Sequence, residues 1–131
     1  MAEVPNINMN AFEKVSEIAN SNSDSPVLML NLNTYFDGRK TMSSAAYSKY
    51  NAAVNAVLRE VEAKVIWRSP VYGQPVGDQI VDEILAVWYP THKAFVKLKN
   101  APSSSRFVEA KNKVVRNAII HRCNPYTVER I

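Results

Sequence analysis

An α+β domain, built in the order β-α-β-β-α-β behind a leading helix, is the fold class that the sequence predicts. Three observations predict it. A strand-like run, PVLMLNLN at 26–33, stands before the longest helical periodicity in the chain. Two runs rich in β-formers, 65–72 and 81–89, are separated by a segment that carries the turn signals Gly73, Pro75, Gly77 and Asp78, which is the pattern of a hairpin. A weaker helical pattern then leads into a last run, Ala118 to Cys123, closed by Asn124 and Pro125.

Each element carries its own signal. Met9, Phe12, Val15, Ile18 and Ala19 recur at helical spacing with polar residues between them, so an amphipathic helix is expected over 9–20. The turn-forming SNSDSP ends it. The first strand is expected from Val27 to Asn33, with the amides of Asn31 and Asn33 on one alternate face. Buried without partners, each amide costs about 1–3 kcal/mol, so that face either borders something wet or the strand is ending. TYFDGRKTMSS is a polar connection that contains Gly38 and ends in Ser43 and Ser44, either of which can cap a helix. Tyr47, Tyr50, Val54, Val57, Leu58 and Val61 then mark a helix over 44–63.

The second strand begins at Val65, and Pro70 within its run implies an edge position or a bulge, because proline cannot donate to a ladder. Gly73, Pro75, Gly77 and Asp78 make the turn into the third strand, Val81 to Tyr89. Pro90 and Thr91 stop that strand and start a short helix with Phe95 and Leu98 inward, which APSSS breaks. Phe107, Ala110, Lys111, Val114 and Val115 mark the last helix.

At 131 residues the chain fits one domain, divided here into a helical extension (1–25), the α+β domain (26–125) and a short tail (126–131). With 47% hydrophobic and 21% charged residues it has the composition of a globular protein, not a disordered one. The single Cys123 has no intramolecular partner, and beside it His92 and His121 give no metal-ligand spacing, so neither metal nor cofactor is expected and the expected compartment is the reducing cytoplasm. No signal-peptide pattern or membrane-span pattern is present. The net charge of +4 is scattered along the chain, without the interleaving of basic and aromatic residues that single-stranded nucleic acid asks for, so no nucleic-acid partner is expected.

The β-α-β-β-α-β order is that of the ferredoxin-like fold, a four-stranded antiparallel sheet in the order 4-1-3-2 with its helices on one face. The other face is then uncovered, and an apolar face of that size asks for a partner. PVLMLNL, YSKYNAAV, VIWR, DEILAVWYPTHKAF and AIIHRCNP, in that order over about Pro26 to Pro125, resemble the domain-of-unknown-function 1330 family, a branch of the dimeric α+β barrel superfamily. The strand-to-helix junction Tyr89-Pro90-Thr91 is the most specific part of the likeness. The resemblance implies a homodimer packed sheet to sheet. Members usually carry two glycines between the long helix and the second strand, where this chain has Glu62 and Ala63. Activities in the superfamily include cofactor-independent monooxygenases, isomerases and cyclases, so the resemblance implies no single chemistry.

Strand alternation nominates the site residues. With Leu28, Leu30 and Leu32 facing the helices, Met29, Asn31 and Asn33 face the cavity, and Asn31 is either a pocket amide or a tie for a neighbouring loop. In the third strand Leu85, Val87 and Tyr89 share the helix face and Trp88 points the other way, as pocket wall or as dimer interface; Trp67 carries the same ambiguity. His121, with a reference pKa near neutrality, is the candidate acid or base. The expected group is Asn31 and His121 as catalytic residues with Trp88, Trp67, Arg68 and Tyr50 around a ligand carbonyl or hydroxyl. Two function classes remain open, a small-molecule enzyme or binding barrel on a compact, partly aromatic ligand, and a non-catalytic dimeric module.

Overall fold

The computed structural model describes residues 2–125, so the tail expected at 126–131 lies outside the described residues. Nine principal elements follow one another: α1 (Met9–Ala19), β1 (Val27–Tyr35), a 3-10 segment (Gly38–Ser43), α2 (Ala45–Glu60), β2 (Lys64–Pro70), β3 (Glu83–Tyr89), α3 (His92–Lys97), α4 (Ser104–Val114) and β4 (Val115–Cys123). Three helices start on side-chain caps: Asn8 Oδ1, Ser44 Oγ and Thr91 Oγ1 accept from the backbone N–H groups of Ala11, Tyr47 and Ala94.

The strands form one antiparallel sheet in the order β2-β3-β1-β4, the order and fold class expected. Val54, Val57 and Leu58 of α2 and Val114 of α4 close over Val27, Met29, Leu85 and Val87 to make the core. The leading helix packs on α3, burying Val15 and Ala19. A carboxylate fixes that corner. Asp24, in the loop after α1, accepts from the backbone N–H groups of His92 (2.8 Å) and Lys93 (3.1 Å) at the start of α3, and lies 3.1 Å from His92 Nδ1.

One expectation is overturned, the face of β1, while β2 is the edge strand that Pro70 implied and also carries a bulge. The face of β1 is reversed: Val27, Met29, Asn33 and Tyr35 are buried under the helices, while Leu28, Leu30 and Leu32 pair with Trp88, Ala86 and Ile84 on the open face. Asn33 is tolerated inside because its amide meets two phenols, described below. The alternation in β2 breaks at Ile66, since Val65 pairs with Val87 on the helix side and Trp67 with Ala86 on the open side. That one-residue shift returns Arg68 to the helix side, opposite Leu85. Finally, the turn before β2 is made without glycine, and Glu62 takes the left-handed backbone conformation (φ 62°) where Gly would carry no steric cost.

β1 also runs on to Tyr35, β4 starts directly from α4 at Val115, and the hairpin between β2 and β3 is a long loop, 71–82. No helix among the described residues is long and apolar enough to cross a membrane.

Candidate functional site

A cluster of polar side chains sits between the sheet and α2, and Glu83 is its centre. At the first position of β3 it shares a face with Leu85, Val87 and Tyr89, so the strand carries its carboxylate under α2, where it is 1% exposed. A charge placed there costs several kcal/mol unless it is paired and hydrogen-bonded. It is both. Tyr35 (2.5 Å) and Tyr47 (2.7 Å) donate their phenol protons to Oε1, Arg68 Nε donates to Oε2 (2.9 Å), and Arg68 Nη2 donates to Oε1 (3.1 Å).

Each partner comes from a different element. Tyr35 ends β1, Tyr47 lies one turn into α2, and Arg68 reaches in from the edge strand β2 because of the bulge at Ile66. Arg68 Nη2 also donates to Tyr47 Oη (2.8 Å) and to Asn51 Oδ1 (3.0 Å), one helical turn further along α2. Behind the carboxylate, Asn33 Nδ2 donates to Tyr50 Oη (3.3 Å) and Tyr35 Oη (3.5 Å). The three tyrosine rings pack edge-on or tilted, with centroids 5.6–6.5 Å apart.

The electrostatics follow from burial and partners. Burial alone raises the pKa of Glu83, but the hydrogen bonds from Arg68, Tyr35 and Tyr47 outweigh it and hold the group below the ordinary carboxylate range. Burial pushes the phenols up: Tyr50 rises to about 12, and Tyr35 and Tyr47 are raised further by their bonds to Glu83. For Arg68 burial pulls the other way, yet the pairing with Glu83 leaves its pKa raised. At neutral pH the cluster therefore holds one cation, one anion and three neutral phenols. Arg68 is its contact with solvent, with a side chain 31% exposed, and Nη1 has no hydrogen-bond partner among the described residues.

The expected site residues divide between the two faces of the sheet. Arg68 and Tyr50 belong to this cluster. Trp67, Trp88 and His121 lie on the open face, where His121 pairs with Leu30 and Trp88 with Leu28. Asn31 pairs with Ile120 and Leu85 on the helix side, and its amide donates to Met29 O (3.1 Å) in its own strand. Asn31 and His121 are thus on opposite faces of the sheet, and the expected catalytic pair is not brought together. The reason is the reversed face of β1. A second histidine, His92, is buried at the start of α3, where it serves the corner with Asp24.

Glu83, Tyr35, Asn33 and Asn51 were missed as a group. A signal for Glu83 was present: in EILAVWY it occupies the parity already assigned to the helices through Leu85, Val87 and Tyr89, which marks a buried carboxylate. Tyr47 and Asn51 stand at i and i+4 on α2, a spacing that puts them on one face.

Comparison with solved structures supports the architecture. No family model and no curated protein sequence matches the chain. The crystal structure of methylated RPA0582 protein is similar with a TM-score of 0.73 at 24% identity, covering 99% of this chain and all of that one. The RPA0582 protein of unknown function from Rhodopseudomonas palustris is similar with a TM-score of 0.72 at 22% identity, covering 98% of this chain and all of that one. At these identities the likeness establishes the fold, a ferredoxin-like α+β sheet with its helices on one side.

Proposed function

We propose that the chain is a small-molecule-binding protein that works as a homodimer, with an acceptor oxygen of the ligand held by Arg68. The observation that carries this reading is the way in which Arg68 is held. A buried carboxylate, a phenol and an amide hold two of the three guanidinium nitrogens, Nε and Nη2, and the third, Nη1, is directed to no protein acceptor among the described residues. Buried ion pairs contribute little net stability compared with apolar residues of the same size. Polar groups concentrated in one corner of a small core, with raised phenol pKa values and one solvent-facing cation, fit a ligand site. Tyr47, bonded to both Arg68 and Glu83, is the phenol nearest to such a ligand.

The homodimer reading is supported by the open face. Leu28, Leu30, Leu32, Ile84, Trp88 and Ile119 form its half-buried apolar surface, flanked by Trp67 at 52% exposure. The helices α2 and α4 lie on the other side. A second copy meeting the same face would bury it with two-fold symmetry, as the resemblance to the 1330 family implies. In that assembly Trp67, Trp88 and His121 line the space between the sheets.

A second reading is favoured by one observation, that the Glu83 carboxylate is fully satisfied within the protein. On that reading the cluster is a clasp joining β1, β2, β3 and α2, and the protein is a non-catalytic module. Solvent extraction of purified protein followed by mass spectrometry separates the two. Wild type is expected to release a small molecule that Arg68→Lys, which keeps the charge and loses the planar fork, does not retain. Equal recovery from both proteins, or from neither, leaves the clasp as the better account.

A further inference from the structure

On the outer side of the helical layer, α2 and α4 leave between them a groove of about 520 Å³. Five alanines, Ala56 and Ala110 among them, line it, so its floor is apolar and low. Its walls are basic. Lys49 stands on α2 and Arg106 and Lys113 on α4, against the single carboxylate of Glu109, which already lies 3.8 Å from Lys113. Three cations against one anion leave the walls at +2, half of the net charge of the whole chain.

We propose that this groove docks an acidic amphipathic helix from a partner protein. An alanine floor lets a helix approach closely and receives apolar side chains at i, i+3, i+4 and i+7, while the basic walls meet carboxylates on its flanks. The other occupants fit less well. A second copy of this chain would bring the same three cations against these. A bilayer needs protruding apolar side chains, and here the apolar atoms are recessed below long basic ones. Nucleic acid binds single strands through aromatic platforms, and none lines the groove. The groove stands apart from Arg68 and from the open sheet face, so its role is independent of the ligand reading.

Fluorescence anisotropy tests it with a labelled peptide of about 15 residues, leucines on the helical stripe and glutamates elsewhere. Two control peptides replace the glutamates by lysine or the leucines by serine. The acidic amphipathic peptide should bind at least about tenfold more tightly than either control. Ala56→Gln, which fills the floor at a half-buried position, and the double change Lys49→Glu with Arg106→Glu at exposed ones should each weaken it about tenfold, with the melting temperature unchanged. No binding, equal binding of the serine peptide, or full binding by Ala56→Gln would each overturn the proposal. Binding to phosphatidylcholine vesicles containing phosphatidylserine, without binding to the peptide, would assign the surface to a membrane instead.

Discussion

Glu83 and Arg68 meet diagonally across two neighbouring strands: Arg68 stands opposite Leu85 and Glu83 opposite Pro70, and the guanidinium leans along the strand to place Nε 2.9 Å from Oε2. The carboxylate is buried and the cation is not, so the two are not equivalent partners. Arg68→Met leaves a buried charge without its counter-ion and should cost about 3–5 kcal/mol. Glu83→Gln leaves a cation that water can reach, and should cost about 1–3 kcal/mol. The double variant should be more stable than Arg68→Met alone, because an amide in place of the Glu83 carboxylate leaves no buried charge without a counter-ion. Urea denaturation of the three proteins reads this directly, and strictly additive losses would show that the pair is not coupled.

Acid should release the same pair. The folded-state pKa of Glu83 is depressed below that of the unfolded chain, so its contribution is fully present above the unfolded value near 4.5 and is lost as pH falls through the folded one. Asp24 has the same sign, since backbone N–H groups at the start of α3 overcome the effect of its burial. Wild type should lose stability below about pH 4.5, and Glu83→Gln should have a shallower acid limb. Identical slopes in the two proteins would contradict the assignment.

The turn before β2 is strained at one residue. Glu62 sits at φ 62°, where a side chain costs about 1–2 kcal/mol that glycine does not incur, against about 0.5–1 kcal/mol of extra backbone entropy for glycine. Glu62→Gly should therefore raise stability by up to about 1 kcal/mol. A lower melting temperature would mean that the Glu62 side chain contributes something the backbone argument omits.

Asp24 holds the leading helix to the domain through α3. Asp24→Ala removes the acceptor of three backbone N–H groups, those of His92 and Lys93 in α3 and that of Ser25, and should cost about 1–2 kcal/mol, while Asp24→Asn, which keeps one oxygen, should cost less. Hydrogen exchange should quicken in α1 before the sheet is affected. Uniform exchange across the chain would show that α1 and the sheet open together.

The order of elements was legible because each has its own period or punctuation: the stripe from Tyr47 to Leu58, the β-formers from Ile84 to Tyr89, the breakers at Pro90 and 101–105. The face of β1 was not, since Leu28, Leu30 and Leu32 are as apolar as Val27 and Met29, and alternation alone cannot say which set the helices cover. The buried set includes Asn33, which is tolerated there because Tyr35 and Tyr50, residues two and seventeen positions away, accept from its amide. Arg68 was legible as a candidate but not as a member of a cluster, because a single bulged residue, Ile66, sets its side of the sheet. The Trp88 side was read correctly from the neighbours Leu85, Val87 and Tyr89.

Native mass spectrometry of the purified chain reads assembly and ligand at once. At micromolar concentration wild type should appear at twice 14.7 kDa with a small-molecule adduct, Arg68→Lys at the same doubled mass without it, and Leu30→Asp, which charges the open face, at the single mass. A wild-type spectrum showing only the 14.7 kDa monomer, or an adduct that Arg68→Lys retains in full, would contradict a ligand-binding homodimer organised around Arg68.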